Sequence, residues 1–230
     1  MLEMLTVGKY TPSPIISSPM DAYFEGERNN KYGTVEWVVP QGVTSICCVV
    51  IGAGSSGRSG GLSWRNNIPV TPGEKLKMQV NSTASALLRE TTILCAAQCG
   101  GNGGKTYNSV NDGGGNAGQS PHGRGGAGGY TGNGGDGHTF TGGPGPGSPG
   151  SGGGGGGGAV VYLNGSLTPT VCGGVGMYGQ GSNGGADNSA GYPGSGGSGT
   201  RYGRAVDGYG VVRVVWGNYS FPTNAPRPKS

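Results

Sequence analysis

The sequence predicts a mainly β fold: a small antiparallel β framework carrying a packed bundle of polyglycine or polyproline-II-type helices connected by loops. Three observations predict it. Apolar, strand-forming runs occupy 34–51, 75–80 and 209–216, and 42 of the 56 glycines among 230 residues fall between 100 and 200. Charged residues make up only 11%. Interior glycine costs a helix about 1 kcal/mol relative to alanine, so a helical bundle is excluded. Collagen is excluded because the glycines keep no strict three-residue period and proline is sparse.

The elements follow in chain order. Residues 1–33 carry Pro12, Pro14 and Pro19 with little periodicity and read as an N-terminal docking arm. Residues 34–99 read as a β domain. Thr34 to Val39 is rich in strand formers, Pro40-Gln41-Gly42 signals a turn, and Val43 to Ile51 reads as a buried strand, so the two are expected to pair as a hairpin. Ile68-Pro69-Val70 leads to a turn at Thr71 to Glu74. Lys75 to Val80 then alternates polar and apolar, the pattern of a strand with one wet face. Ala84 to Ala97 is ambiguous, since Ala86 to Glu90 suits a helical turn and Thr91 to Ala96 a strand. Residues 208–230 comprise a returning strand, Tyr209 to Trp216, and a C-terminal tail.

Residues 100–207 hold the glycine region. On composition alone it fits a flexible linker. Its length, its position between strands and its few charges favour order. Polyproline-II helices have three residues per turn and no internal hydrogen bonds, so every backbone group needs a partner on a neighbour. Glycine at two positions per turn lets such helices touch directly. Gly152 to Gly158 would suit a central, surrounded helix.

Function classes narrow quickly. Fifteen basic against eleven acidic residues form no basic stripe, so no nucleic-acid partner is expected. The apolar run Ile46 to Ile51 is far short of the roughly 20 residues that cross a bilayer, so no membrane insertion is expected. Five cysteines, an odd number, read as free thiols; Cys47 and Cys48 are adjacent on a strand and point to opposite faces. Gly52-x-Gly54-x-x-Gly57 matches a dinucleotide fingerprint, but Arg58 to Trp64 shows no helical periodicity to complete it. His122 and His138 belong to no nucleophilic grouping, and Cys95-x-x-x-Cys99 lacks a second half for zinc. The expectation is a non-enzyme without cofactor.

Four separated stretches carry a resemblance. They are Glu36 to Ser45 continuing through Val49 to Gly54, then Gly61 to Gly73, then Gly173 to Gly181, and finally Gly210 to Gly217 with Phe221-Pro222. Over roughly residues 34–222 the chain resembles glycine-rich bacteriophage tail-fibre proteins of T-even and cyanophage type. The resemblance implies a virion tail-fibre component, a receptor-binding adhesin that bundles polyglycine helices and presents loops to the host surface. The alternative is a virion structural protein of baseplate, fibre or decoration type. Implied partners are other tail or fibre proteins, through the N-terminal arm, and a host receptor, either an outer-membrane protein or a glycan.

The non-glycine residues of this region are mostly Asn, Ser, Thr and Tyr, close to the composition of antibody recognition loops. Candidate loops are 105–112, 119–124, 138–141, 183–192 and 200–204. Tyr107, Tyr130, Phe140, Tyr192 and Tyr202 sit in glycine-rich turns with little core to enter and are expected to face outward, joined by His122 and Arg124 as receptor-binding candidates.

Overall fold

The computed structural model describes residues 15–18, 20–26, 32–54, 59–119, 125–137, 147–152, 159–161, 167–169, 175–177, 179–180, 199–201, 204–206 and 210–222. The strands are β1 (Ile15–Ser18), β2 (Asp21–Glu25), β3 (Gly33–Val38), β4 (Ser45–Ile51), β5 (Leu62–Pro69), β6 (Lys75–Val80), β7 (Ala84–Arg89), β8 (Thr92–Gln98), β9 (Gly113–Gly115), β10 (Ala159–Val161), β11 (Leu167–Pro169), β12 (Val175–Gly176), β13 (Gly179–Gln180), β14 (Gly199–Arg201), β15 (Arg204–Val206) and β16 (Val211–Trp216). One helical turn, α1, spans Gly104–Tyr107. The mainly β expectation is met.

Two antiparallel sheets form a sandwich: a six-stranded sheet ordered β1-β2-β16-β4-β5-β9 and a four-stranded sheet ordered β3-β6-β7-β8. Strands β10/β11, β12/β13 and β14/β15 make three small hairpins. Strand β16 returns from the far end of the glycine region to lie between β4 and β2, with Val214 opposite Cys48 on one side and Ala22 on the other.

The expected hairpin of β3 with β4 does not form, and burial explains why. Strand β3 buries Val35 and Trp37 while Thr34, Glu36 and Val38 stay exposed, so it needs a sheet with one wet face. It pairs with β6, which alternates in the same way. Strand β4 is buried on both faces from Ile46 onward and must lie inside a covered sheet. Residues 39–44 therefore cross from one sheet to the other. The ambiguous segment 84–97 resolves as the β7/β8 hairpin, with Arg89 opposite Thr92 and Glu90 turning the chain at φ 54°.

The N-terminal segment also differs from the expected arm. Strand β2 is hydrogen-bonded along β16 over five residue pairs, and β1 pairs with β2, so residues 15–25 are part of the sheet. Ala22 and Phe24 enter the core, and a side-chain clasp accompanies the pairing: the Asp21 carboxylate takes three hydrogen bonds from Arg213 on β16, at 2.8–3.1 Å. Both side chains are buried.

Alternation along β4 and β16 defines two cores. Ile46, Cys48, Val50, Val212, Val214 and Trp216 face the four-stranded sheet, where they meet Trp37, Leu76, Met78 and Leu87. The Trp37 and Trp216 rings lie 5.5 Å apart across this core. Cys47, Val49, Ile51, Val211 and Val215 face the other way and are covered by Ala127, Val175, Met177 and Phe221. The two adjacent cysteines thus serve different cores, as strand geometry requires. Strand β5 contributes to both: a bulge near Asn67 (φ 52°) turns it over, so that Leu62 joins the second core and Ile68 the first.

Ser85 Oγ is buried without a hydrogen-bond partner among the described residues. Ser85→Ala is therefore expected to leave stability unchanged or raise it by about 1 kcal/mol, measured by denaturant titration. A loss of that size would mean the hydroxyl has a partner. Glu25, half-buried on β2, has its carboxyl pushed above the ordinary value by burial. Its contribution is fully present below the unfolded pKa and is lost as pH rises through the folded one. Glu25→Gln should consequently raise the melting temperature at pH 7, with the gain vanishing by about pH 4, near the unperturbed glutamate value.

Candidate functional site: the surface of the glycine layer

Part of the glycine region covers the outer face of the six-stranded sheet, where Ala127, Val175 and Met177 pack. Its segments 116–119, 125–129, 132–137 and 147–152 are neither strand nor α-helix. Their backbone hydrogen bonds recur every third residue. Gly134 and Gly137 donate to the carbonyls of Asn116 and Gln119, at 2.9 and 2.8 Å. Ser151 and Ser148 donate to Asn133 and Asp136 in the opposite sense, at 2.9 and 2.8 Å.

Segment 125–129 is enclosed. Gly126 donates to Gly135, Gly128 donates to Gly60, and the Gly126 carbonyl accepts from Gly118. All five of its residues are buried, and Ala127 packs on the sheet beneath. Glycine is needed here for close approach. A Cβ on Gly128 would overlap the Gly115 carbonyl, and one on Gly60 the Gly52 carbonyl. Of the run 152–158 expected to be surrounded, only Gly152 belongs to the described residues.

Side chains complete the layer at its edge. Asn116 Oδ1 accepts from Gly103 N (3.0 Å), Asn133 Oδ1 from Asn116 N (2.9 Å), and Ser151 Oγ from Asn133 N (3.2 Å). Three residues along each segment a second row repeats the device: Asp136 Oδ1 accepts from Gln119 N at 2.6 Å, and Ser148 Oγ donates to the Asp136 carbonyl at 3.2 Å. Gln119, Asn133, Asp136, Ser148 and Ser151 are exposed and Asn116 is half-buried.

Two of the seven candidate residues can be placed. Tyr107 ends α1 and is half-buried, and burial, followed by nearby Cys99, raises its phenol pKa. Tyr130 does not face outward as expected. Its ring stacks on Phe221 with centroids 6.0 Å apart, its hydroxyl donates to the Gly176 carbonyl (3.0 Å), and its own carbonyl accepts from Trp64 Nε1 (2.8 Å). The second core gives it a place that a reading of glycine-rich turns alone does not foresee. Asn66 fixes the other half of this stack, exchanging two hydrogen bonds with the Phe221 backbone at 2.7 and 2.9 Å. His122, Arg124, Phe140, Tyr192 and Tyr202 lie outside the described residues. In loop 105–112, Lys105, Thr106, Ser109 and Asp112 are exposed, whereas Asn111 is buried and holds the open edge of β8 through the Ala96 N–H and C=O.

Gly52 and Gly54 of the fingerprint-like run follow a strand in an arrangement different from a nucleotide site. Strand β4 and the next strand, β5, are antiparallel neighbours, and Gly52 N donates to Gly61 O at 2.9 Å. A dinucleotide motif needs a helix and a parallel crossover at that point. The thiols are placed structurally as well. Cys99 accepts from Ala53 N and donates to Asn81 O, both at 3.3 Å, and burial raises the pKa of Cys47, Cys95 and Cys99. Such thiols are poor nucleophiles and poor metal ligands at neutral pH. Cys47, Cys48, Cys95 and Cys99 are all free.

Among the described residues no group of three metal-ligating side chains converges, and no helix is long and apolar enough to cross a membrane. Comparison with protein-family models, curated proteins and solved structures finds no match.

Proposed function

We propose that this chain is a bacteriophage virion tail-fibre component, a receptor-binding adhesin that presents side chains to the host surface from a scaffold of packed polyglycine helices. The observation that carries the reading is the enclosed segment 125–129, bonded to three neighbouring segments and supported by the sheet. A three-residue hydrogen-bond recurrence is what polyproline-II helices, at three residues per turn, generate when they pack side by side. Such a layer is rigid without side chains in its interior, which leaves its polar side chains for the outer surface. Rigid display lowers the ordering cost of binding. The four motifs resembling phage tail-fibre proteins supply the biological setting. Mounting on other tail or fibre proteins would then fall to the residues preceding β1, since β1 and β2 belong to the sheet.

The test uses the phage that encodes the chain. Excess purified chain should block adsorption to host cells. Simultaneous alanine substitution of Tyr107, His122, Arg124, Phe140, Tyr192 and Tyr202 should abolish that block while changing stability little, because an anchoring aromatic commonly contributes about 2 kcal/mol of affinity. A chain found in the virion that never competes for adsorption would be a structural component instead.

A further inference from the structure

We propose that the two rows of polar side chains on the glycine layer, Asn116-Asn133-Ser151 and Gln119-Asp136-Ser148, form a recognition site for a neutral polysaccharide. The proposal rests on the adhesin reading and names its ligand class. The rows are three residues apart along each segment, roughly 9 to 10 Å of extended backbone. Within a row, neighbouring side chains sit on adjacent, hydrogen-bonded segments. The result is a regular grid on a surface rather than a cavity, which suits a polymer with recurring groups better than a single small solute.

Its chemistry selects the polymer. A sugar hydroxyl is at once donor and acceptor and is best met by a mixture of both. Asn133 uses Oδ1 on the backbone and keeps its Nδ2 donors, and Asp136 uses Oδ1 and keeps a second carboxylate oxygen as acceptor. Gln119 adds a carboxamide, and Ser148 and Ser151 add hydroxyls. The six side chains of the grid are all polar, and Pro149 is the one exposed apolar residue on the described segments that carry them, so a lipid would find little to anchor on. The one charge, Asp136, is negative and opposes phosphorylated or carboxylated glycans. Because Asn116, Asn133, Asp136 and Ser151 are each held by a backbone N–H or carbonyl, their ordering is completed in folding and is not charged against binding.

Isosteric exchanges test the site while keeping the layer intact. Asn133→Asp and Asp136→Asn each retain the Oδ1 acceptor that holds the neighbouring segment and reverse the hydrogen-bonding character of the outward atom. The purified full chain would be titrated against dextran, mannan and chitohexaose as neutral probes, and against alginate and heparin as anionic ones. Saturable binding to at least one neutral probe is expected, weakened about tenfold or more by each exchange, as loss of one charge-assisted or complementary hydrogen bond implies. The melting temperatures should stay unchanged. Preference for the anionic probes, indifference to both exchanges, or no binding to any neutral probe at millimolar concentration would overturn the proposal. If the chain blocks phage adsorption and no neutral probe competes, the grid is refuted and the adhesin reading stands. If a neutral probe binds and both exchanges weaken it while adsorption is never blocked, the grid stands and the adhesin reading fails.

Discussion

Gly128→Ala is expected to destabilise the protein by about 3 kcal/mol or more, a larger effect than a methyl group normally produces. Overpacking a core usually costs about 1–3 kcal/mol because side chains rotate aside. Here the new Cβ would meet backbone, the carbonyl of Gly115 and the amide nitrogen of Leu62, and neither can rotate away. Segment 125–129 would have to lift from its neighbours and lose the hydrogen bonds from Gly128 to Gly60 and from Gly126 to Gly135. Gly42→Ala provides the contrast. Nothing lies within 4 Å of a Cβ there, but φ is +80°, so its cost is conformational and close to the 1–2 kcal/mol of a left-handed residue. Denaturant unfolding of both variants separates steric from conformational glycine. Equal losses would argue against close packing at Gly128.

The second large effect is expected at the buried ion pair. Asp21→Ala should cost about 3–5 kcal/mol, because it leaves the Arg213 guanidinium charged beneath the glycine layer. The same guanidinium donates to the Met177 carbonyl at 3.0 Å, so it ties together β2, β16 and the chain that covers them. Asp21→Leu combined with Arg213→Met should recover most of the loss, since a buried pair replaced by apolar groups of similar volume is often neutral. Chemical unfolding of the single and double variants gives the comparison. A small effect of Asp21→Ala would show that the N-terminal strand contributes little to the fold.

The mainly β character is legible in the sequence because several strands announce their surroundings. Lys75 to Val80 alternates and lies at a wet sheet; Ile46 to Ile51 does not, and lies under two covers. Pairing was harder to read. Adjacency in sequence suggested β3 with β4, and only the mismatch between a half-wet and a fully buried strand places them in different sheets. The prolines of the segment before β3 suggest an arm. Asp21, whose partner lies 192 residues away, gave no local signal. Strand β5 was hidden by Arg65-Asn66-Asn67, polar residues that accommodate a bulge and clamp Phe221 rather than alternate. For the exposed surface of the glycine layer, composition draws attention to tyrosines. Tyr130 belongs to the second core, while the outward positions belong to Asn133 and Asp136. Their signal was present in Gly132-Asn133-Gly134-Gly135-Asp136-Gly137, where polar residues fall three apart among glycines, and is the imprint of a three-residue repeat with one side facing water.

The central claim is that the described segments of the glycine region form a hydrogen-bonded layer and not a linker, and amide hydrogen exchange tests it most directly. Peptides covering 125–129 carry few side chains, so protection there reports on backbone packing alone. Gly126 and Gly128 should exchange as slowly as the amides of β4 and β16, through an opening close to global unfolding. Exchange of these two amides at random-coil rates, with β4 and β16 still protected, would contradict the account.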